Sequence, residues 1–364
     1  QKSFFSIIFL LSCAVLFSQI KDPSSIYRKE RDKINNLVHT KLKVDFNFEK
    51  KELNGEEWLT LEPHFYPTNR VVLDAKAMII QTVSLDDKNL DYTYDGYQLT
   101  IELPKEYKKG EHYTLYLKYI ARPEKVKDKG SIAITAAKGL YFINSTGSDP
   151  NKPTQIWTQG ETEANSCWFP TIDSPNQKTS QEIYITVPKK FKTLSNGILV
   201  SQENSGSNRT DYWKFDQKHA PYLIFMGVGE YEVIEDSYKN IPVNYYVEKK
   251  YASVAKDIFG QTPEMIGFFE DRLGVAYPWA KYSQIVAREY VSGAMENTTA
   301  VVHGDDAYQL KGQLIDENRQ ENTIAHEIFH HWFGNLVTSE SWSNLALNES
   351  FANYSQYLWR EYKY

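Results

Sequence analysis

The sequence predicts a β + α/β chain in two parts: an all-β domain through about residue 240, then the start of an α-rich or mixed domain. Two observations carry this. Before residue 240, short runs with apolar residues at every second position recur between turn signals. After Ile241-Pro242-Val243 the apolar spacing becomes helical.

The elements follow in order. Val38, Leu42, Val44, Phe46 and Phe48 mark a half-buried strand, and Asn54-Gly55 reads as a tight hairpin before Trp58, Leu59 and Leu61. Val71–Leu73 and Met78–Ile80 are short apolar runs, and Leu99–Leu103 and Tyr113–Tyr119 alternate. Ile183, Ile185 and Val187 form a strand closed by Pro188, and Tyr222–Met226 reads as a fully apolar strand. Ala252 to Leu273 carries a helical apolar stripe, and Ile285-Val286-Ala287 a short strand. Gln320–Val337 and Leu345–Trp359 are the two remaining helix candidates. The expected units are therefore a β domain over 38–240 and an incomplete catalytic domain over 241–364.

The chain has 364 residues, enough for two domains, and its 41% hydrophobic and 24% charged residues are ordinary for a globular protein. Net charge is −6 with no basic block, which argues against nucleic acid as a partner. The first residue is Gln1 rather than Met. Lys2 followed by the apolar run Phe4–Phe17 and Ser18-Gln19 reads as a secretory signal over residues 1–18, with a charged leader over 19–37. That run is too short to span a bilayer comfortably, so the mature chain is expected to have no membrane span and to be exported: periplasmic, secreted or at the cell surface. The alternative is an N-terminal anchor helix. Leu10-Leu11-Ser12-Cys13 also weakly resembles a lipobox, so lipoprotein anchoring at Cys13 is a minor possibility, disfavoured because the apolar run continues past it. Removing the signal leaves Cys167 as the one cysteine, so no intramolecular disulfide forms and Cys167 reads as a core residue. No stop signal follows the last helix candidate, so the chain is expected to continue beyond Tyr364.

The chemistry concentrates in His326-Glu327-Ile328-Phe329-His330. On a helix, positions i and i+4 share a face, so both imidazoles point at one metal. Neutral imidazole suits zinc, and three protein ligands leave a fourth position open. Zinc brings the proton loss of bound water down to about pH 7, and Glu327 is placed to take that proton and pass it to a leaving amine. The bare motif arises by chance in roughly one chain per hundred of this length, so a helix with a polar face is the alternative until a third ligand is found. Glu349, in Leu347-Asn348-Glu349-Ser350, begins the next helix candidate and supplies it.

The stretch Thr323–Thr338, with Glu349 at this spacing and Trp342 and Asn344 before it, closely resembles the aminopeptidase N family of zinc metallopeptidases, which includes leukotriene hydrolase. Gly293-Ala294-Met295-Glu296-Asn297 matches that family's exopeptidase motif, whose backbone runs beside the substrate and whose glutamate, here Glu296, holds the free α-amine. Thr158–Glu163 and Trp168-Phe169-Pro170 resemble the segment that brings a second carboxylate, here Glu161, to the amine, with Gln159 lining the pocket for the first side chain. The family's arginines are missing from this segment, where Asn165 and Ser166 stand, and a polar loop is the alternative. The resemblance implies a saddle-like β domain followed by the first part of a thermolysin-like, mainly α catalytic domain. It also implies one Zn²⁺ per chain and peptides with a free N-terminus as substrates.

Three departures sit near the metal. Ser350 replaces a common Gly, Gln356 a common Glu and His331 a frequent Gln. The family's oxyanion-stabilising tyrosine falls beyond Tyr364, so residues 1–364 alone are expected to be inactive. Two other readings compete: an epoxide hydrolase like the leukotriene branch, disfavoured by the signal segment, and a non-catalytic peptide-binding protein on the same fold. Against the second, His326, Glu327, His330, Glu349 and Glu296 are all intact. Glu296, closing the site around a free amine, also disfavours an endopeptidase.

Overall fold

A computed structural model describes residues 31–364; the expected signal segment, Cys13 and most of the leader lie outside the described residues. The first strand, Asn35–Asn47, begins earlier than Val38. Asn35 is polar but satisfied: its Nδ2 donates to Arg70 O at 2.9 Å, and its Oδ1 accepts from the Tyr113 hydroxyl at 2.6 Å. The strand returns as Glu52–Pro63, so the turn falls at about residues 48–51, with Lys51 at φ 55°, and not at Asn54-Gly55. Gly55 lies inside the second strand, opposite Tyr119. A Cβ on Gly55 would fall 2.2 Å from Tyr119 Cζ, so the glycine makes room for a ring rather than for a turn.

These strands belong to an eight-stranded sheet, joined by Thr179–Pro188, which runs parallel to the first strand. A three-stranded sheet (Thr68–Asp74, Gln98–Tyr107, Tyr92–Tyr94) and a four-stranded one (Lys192–Ser195, Met226–Gly229, Gln155–Thr158, Leu140–Ile143) complete the β region. Cys167 is fully buried among them. The expected strand Tyr222–Met226 is instead a 3₁₀ turn, Pro221–Leu223, and the strand starts only at Met226. Pro221 favours the turn, and Asn165 Nδ2 takes up the carbonyls of Pro221 and Ile224, which are therefore not left to a ladder.

A five-stranded sheet follows, in the order Tyr231–Tyr238, Ile241–Glu248, Tyr282–Ala287, Ala300–Gly304, Ala294–Met295. It starts at Tyr231, before the boundary near residue 240, because a tight turn through Lys239 pairs its first two strands. Its central strands are parallel, fully buried and apolar-rich. Ala294–Met295 is an edge strand, paired through Ala294 with His303 and Met295 with Val302.

Among the described residues, four α-helices accompany this sheet in the chain: α1 (Ala255–Phe259), α2 (Thr262–Leu273), α3 (Glu321–Phe329) and α4 (Ala346–Lys363). The single helix expected over Ala252–Leu273 is broken, because Pro263 has no N–H and Thr262 Oγ1 closes back on Phe259 O at 2.7 Å. The helix expected to reach Val337 stops at Phe329. Successive turns follow, from His331 N to Ile328 O and from Asn335 N to His330 O, through Gly334 at φ 129°. Ile324, Ala325 and Ile328 of α3 share an apolar core with Ala352 and Trp359 of α4. Trp359 Nε1 donates to Glu321 Oε1 at 2.7 Å, pinning the two helices together. No helix among the described residues is long and apolar enough to cross a membrane.

Candidate active site

His326 lies one turn before His330, which sits at the C-cap of α3, and their Nε2 atoms are 2.9 Å apart. Glu349, in the first turn of α4, puts Oε2 at 3.4 Å from His326 Nε2 and Oε1 at 3.6 Å from His330 Nε2. The three ligand atoms lie within 4.8 Å of one another. His330 Nδ1 faces Phe333 O at 3.0 Å, which makes Nδ1 the donor and turns the Nε2 lone pair toward Glu349. Two neutral imidazoles and a carboxylate at this spacing fit a tetrahedral divalent ion with one position free.

Asn348 fixes the start of α4. Its Oδ1 accepts from Ser339 N at 3.2 Å, and its Nδ2 donates to the Tyr222 hydroxyl at 3.2 Å. The same hydroxyl lies 3.5 Å from Glu296 Oε1, so one buried tyrosine of the β region links the third ligand's helix to the motif glutamate. Asn335 Nδ2 holds the Glu296 backbone carbonyl at 2.8 Å. His331 is bonded on both sides, its Nδ1 donating to Glu327 O at 3.1 Å and its Nε2 accepting from Thr299 N at 3.1 Å. Burial keeps it neutral, with its pKa lowered to about 3. It ties α3 to the segment that follows Asn297.

A cleft of about 430 Å³ is lined by the three candidate ligands together with Glu327, Glu296 and Glu161. Burial, then Glu349, pushes the Glu296 carboxyl up to about 8. Glu327 and Glu161 are raised well above the usual carboxylate range, chiefly by burial and then by Glu296, Glu349 and, for Glu327, Glu161. Glu327 Oε2 is buried without a partner. Glu349 is lowered: burial opposes this, but the His326 contact and the two imidazoles outweigh it. Four acidic side chains around one cleft suit positive occupants, a metal ion and an ammonium group.

Gly293, Ala294 and Met295 also line the cleft, and Ala294–Met295 is the edge strand of its sheet. An extended peptide can add to such an edge as a strand. Asn297 is fully buried and off the cleft wall, its carbonyl accepting from Ala300 N at 2.8 Å. Gln159 is also not on the wall. It stands behind Met295, donating to Sδ at 3.4 Å and accepting from the Tyr290 hydroxyl, so it supports the pocket rather than lining it. Sequence reasoning missed Tyr222, Asn335 and the 131–134 turn, which also lines the cleft. Asn335, following Gly334 in the quoted stretch, carried a signal; the other two lie in no motif.

Residues 36–223 match the model of the peptidase M1 N-terminal domain, and residues 258–364 that of the peptidase family M1 domain. This chain belongs to the M1 peptidases. The M1 chain is 26% identical over 313 residues to "Probable aminopeptidase 2" of Sulfurisphaera tokodaii, covering 85% of this chain and 37% of that protein. It is 28% identical over 321 residues to "Probable aminopeptidase 1" of Saccharolobus solfataricus, covering 85% and 38%. It is 33% identical over 199 residues to the glutamyl aminopeptidase of Bos taurus, covering 52% and 20%. This M1 chain thus spans well under half the length of these relatives.

Proposed function

We propose that this protein is an exported zinc aminopeptidase that removes the N-terminal residue from peptides. One observation carries the reading: the His326, His330, Glu349 cluster, Glu327 and Glu296 all face one cleft beside an edge strand. M1 membership and relatives named aminopeptidases support it.

Zinc held by His326, His330 and Glu349 would supply Lewis acidity toward water and the scissile carbonyl. The chain's own residues do the rest. Glu327, next to the first ligand, accepts the proton of the attacking water and returns it to the leaving amine. Burial and the neighbouring carboxylates raise its proton affinity, and positive charge beside it acts in the opposite direction, which suits it to act as a base. Glu296 and Glu161 hold the substrate's ammonium and thereby set the distance from chain end to cleaved bond. The Ala294–Met295 edge aligns the peptide backbone. Blocked N-termini are refused because they leave buried carboxylates unpaired.

The test, made on the full-length protein of which residues 1–364 are part, compares a leucyl chromogenic amide with its N-acetylated form, with and without a chelator. Chelator-sensitive cleavage of only the free-amine substrate is the expected result. Cleavage of both removes the role of Glu296, and silence toward both with zinc bound points to a peptide-binding protein.

A further inference from the structure

The loop that follows α3 is gripped from the β region by a lysine outside the motifs. Lys178 Nζ donates to Leu336 O at 2.8 Å and to Asn335 O at 3.3 Å. The Tyr222 hydroxyl lies 3.5 Å from the preceding carbonyl, Gly334 O. Asn335 O also has a local donor, Thr338 Oγ1 at 3.3 Å. An irregular loop has no ladder to take up its carbonyls, and here the β region supplies donors to three in a row. The lysine stands on a rigid base. Its neighbour Gln177 is fixed to the first strand, Oε1 accepting from Leu37 N at 3.0 Å and Nε2 donating to Asn35 O at 2.9 Å. Thr179, on its other side, begins the strand that runs parallel to the first. Lys178 is half-buried, and among the described residues its ammonium meets these two carbonyls and no carboxylate.

What Lys178 grips is joined to both halves of the site. Asn335 N donates to His330 O at 2.9 Å, so the loop closes on the second candidate ligand. Asn335 Nδ2 donates to Glu296 O at 2.8 Å, so the same residue carries the motif glutamate. The two halves do not depend on the loop equally. His330 is held within its own helix, its N donating to His326 O at 3.2 Å, and Glu349 stands on α4. Glu296 follows a strand of only two residues, Ala294–Met295, and has Asn335 behind it. A shift of the 335–336 backbone therefore moves Glu296 more than it moves the ligand cluster.

We propose that Lys178 is a positioning residue for amine recognition: from the eight-stranded sheet it fixes the 335–336 backbone, and through Asn335 it keeps Glu296 in place relative to the metal ligands. The proposal rests on the aminopeptidase reading above. Lys178 is not among the residues that line the cleft, so it acts through the loop and not on the substrate. A displacement of about 1 Å in a group that orients substrate costs on the order of 100-fold in rate.

The experiment measures, by calorimetry on the full-length, zinc-loaded protein, the binding of leucine hydroxamate and of its desamino analogue, isocaproyl hydroxamate. Both offer the metal the same hydroxamate, and only the first presents an α-ammonium. Lys178→Met keeps the stem and removes the donors. It is expected to weaken leucine hydroxamate about 10- to 100-fold, with isocaproyl hydroxamate and zinc content as in the parent. Lys178→Arg, which still donates, is expected to keep most of the parent's preference. Asn335→Ala alone is expected to lose the same preference, and adding Lys178→Met to it to cause no further loss, because the two act in one chain of contacts. Equal weakening of both hydroxamates in Lys178→Met overturns the proposal. So does a preference left unchanged by Lys178→Met or by Asn335→Ala, or full additivity of the two. In those cases the parent still prefers leucine hydroxamate, and the aminopeptidase reading stands. A parent that binds the two alike and cleaves no free-amine amide overturns both.

Discussion

Gln356 of α4 and His326 of α3 face each other at 3.0 Å, side-chain amide against Nδ1. His330 has a backbone carbonyl in the corresponding place, but His326 depends on this one side chain. The atom facing the ring is the amide nitrogen; a half-turn of the amide puts its oxygen there instead, so that Nδ1 donates and the Nε2 lone pair is left for a metal. Gln356→Leu is expected to lower zinc affinity about 10- to 100-fold by chelator competition. Gln356→Glu is expected to bind at least as tightly as the parent. Equal affinities for the parent and the leucine variant would show that the contact does not orient His326.

Glu296 is buried, and its carbonyl and carboxylate are held from two sides by Asn335 and Tyr222. Removing one partner of a buried charge pair costs about 2–5 kcal/mol. Glu296→Gln is therefore expected to lower kcat/KM for a free-amine substrate roughly 30- to 5,000-fold, with zinc content unchanged. A variant as fast as the parent would move the amine elsewhere.

Gly55 lies against the Tyr119 ring, and an added methyl meets it at 2.2 Å. Gly55→Ala is expected to destabilise the fold by about 1–3 kcal/mol in denaturant unfolding. An unchanged midpoint would mean the ring swings away freely.

Asp173 is fully buried, and burial, opposed by the Ser166 N–H, pushes its carboxyl up to about 7. A carboxyl that holds its proton more tightly folded than unfolded contributes stability present below its unfolded value, near 4, and lost as pH rises through about 7. Asp173→Asn keeps an acceptor for Ser166 and does not titrate. Its stability relative to the parent is expected to rise between about pH 4 and 7 in unfolding curves. Parallel profiles would show that Asp173 ionises freely in the folded protein.

Much of the site was legible because it is local. His326 and His330 share a helix face at fixed spacing, and Glu349 needed only one helix reversal. The alternating strands were legible for the same reason, with period two marking one buried face. Contacts that close the site across the chain were not. Tyr222 reaches Asn348 from 126 positions away, and within an apolar run its hydroxyl carries no motif. Asn54-Gly55 misled because a glycine that admits a neighbouring ring looks, in sequence, like one that admits a turn. Gln159 stands behind Met295 because it follows the strand that ends at Thr158, and the chain turns before Glu161 reaches the cleft.

The most direct test of the account is Glu327→Gln in the full-length protein, assayed for zinc content and for kcat/KM on a leucyl amide. Its carboxylate lies in the cleft beside the ligand cluster but is not one of the three ligands. The expected result is one zinc per chain retained and a loss of about 10²- to 10⁴-fold in rate, the range for a general base. Full activity in this variant, or loss of the metal with it, would contradict the assignment of Glu327 as the base.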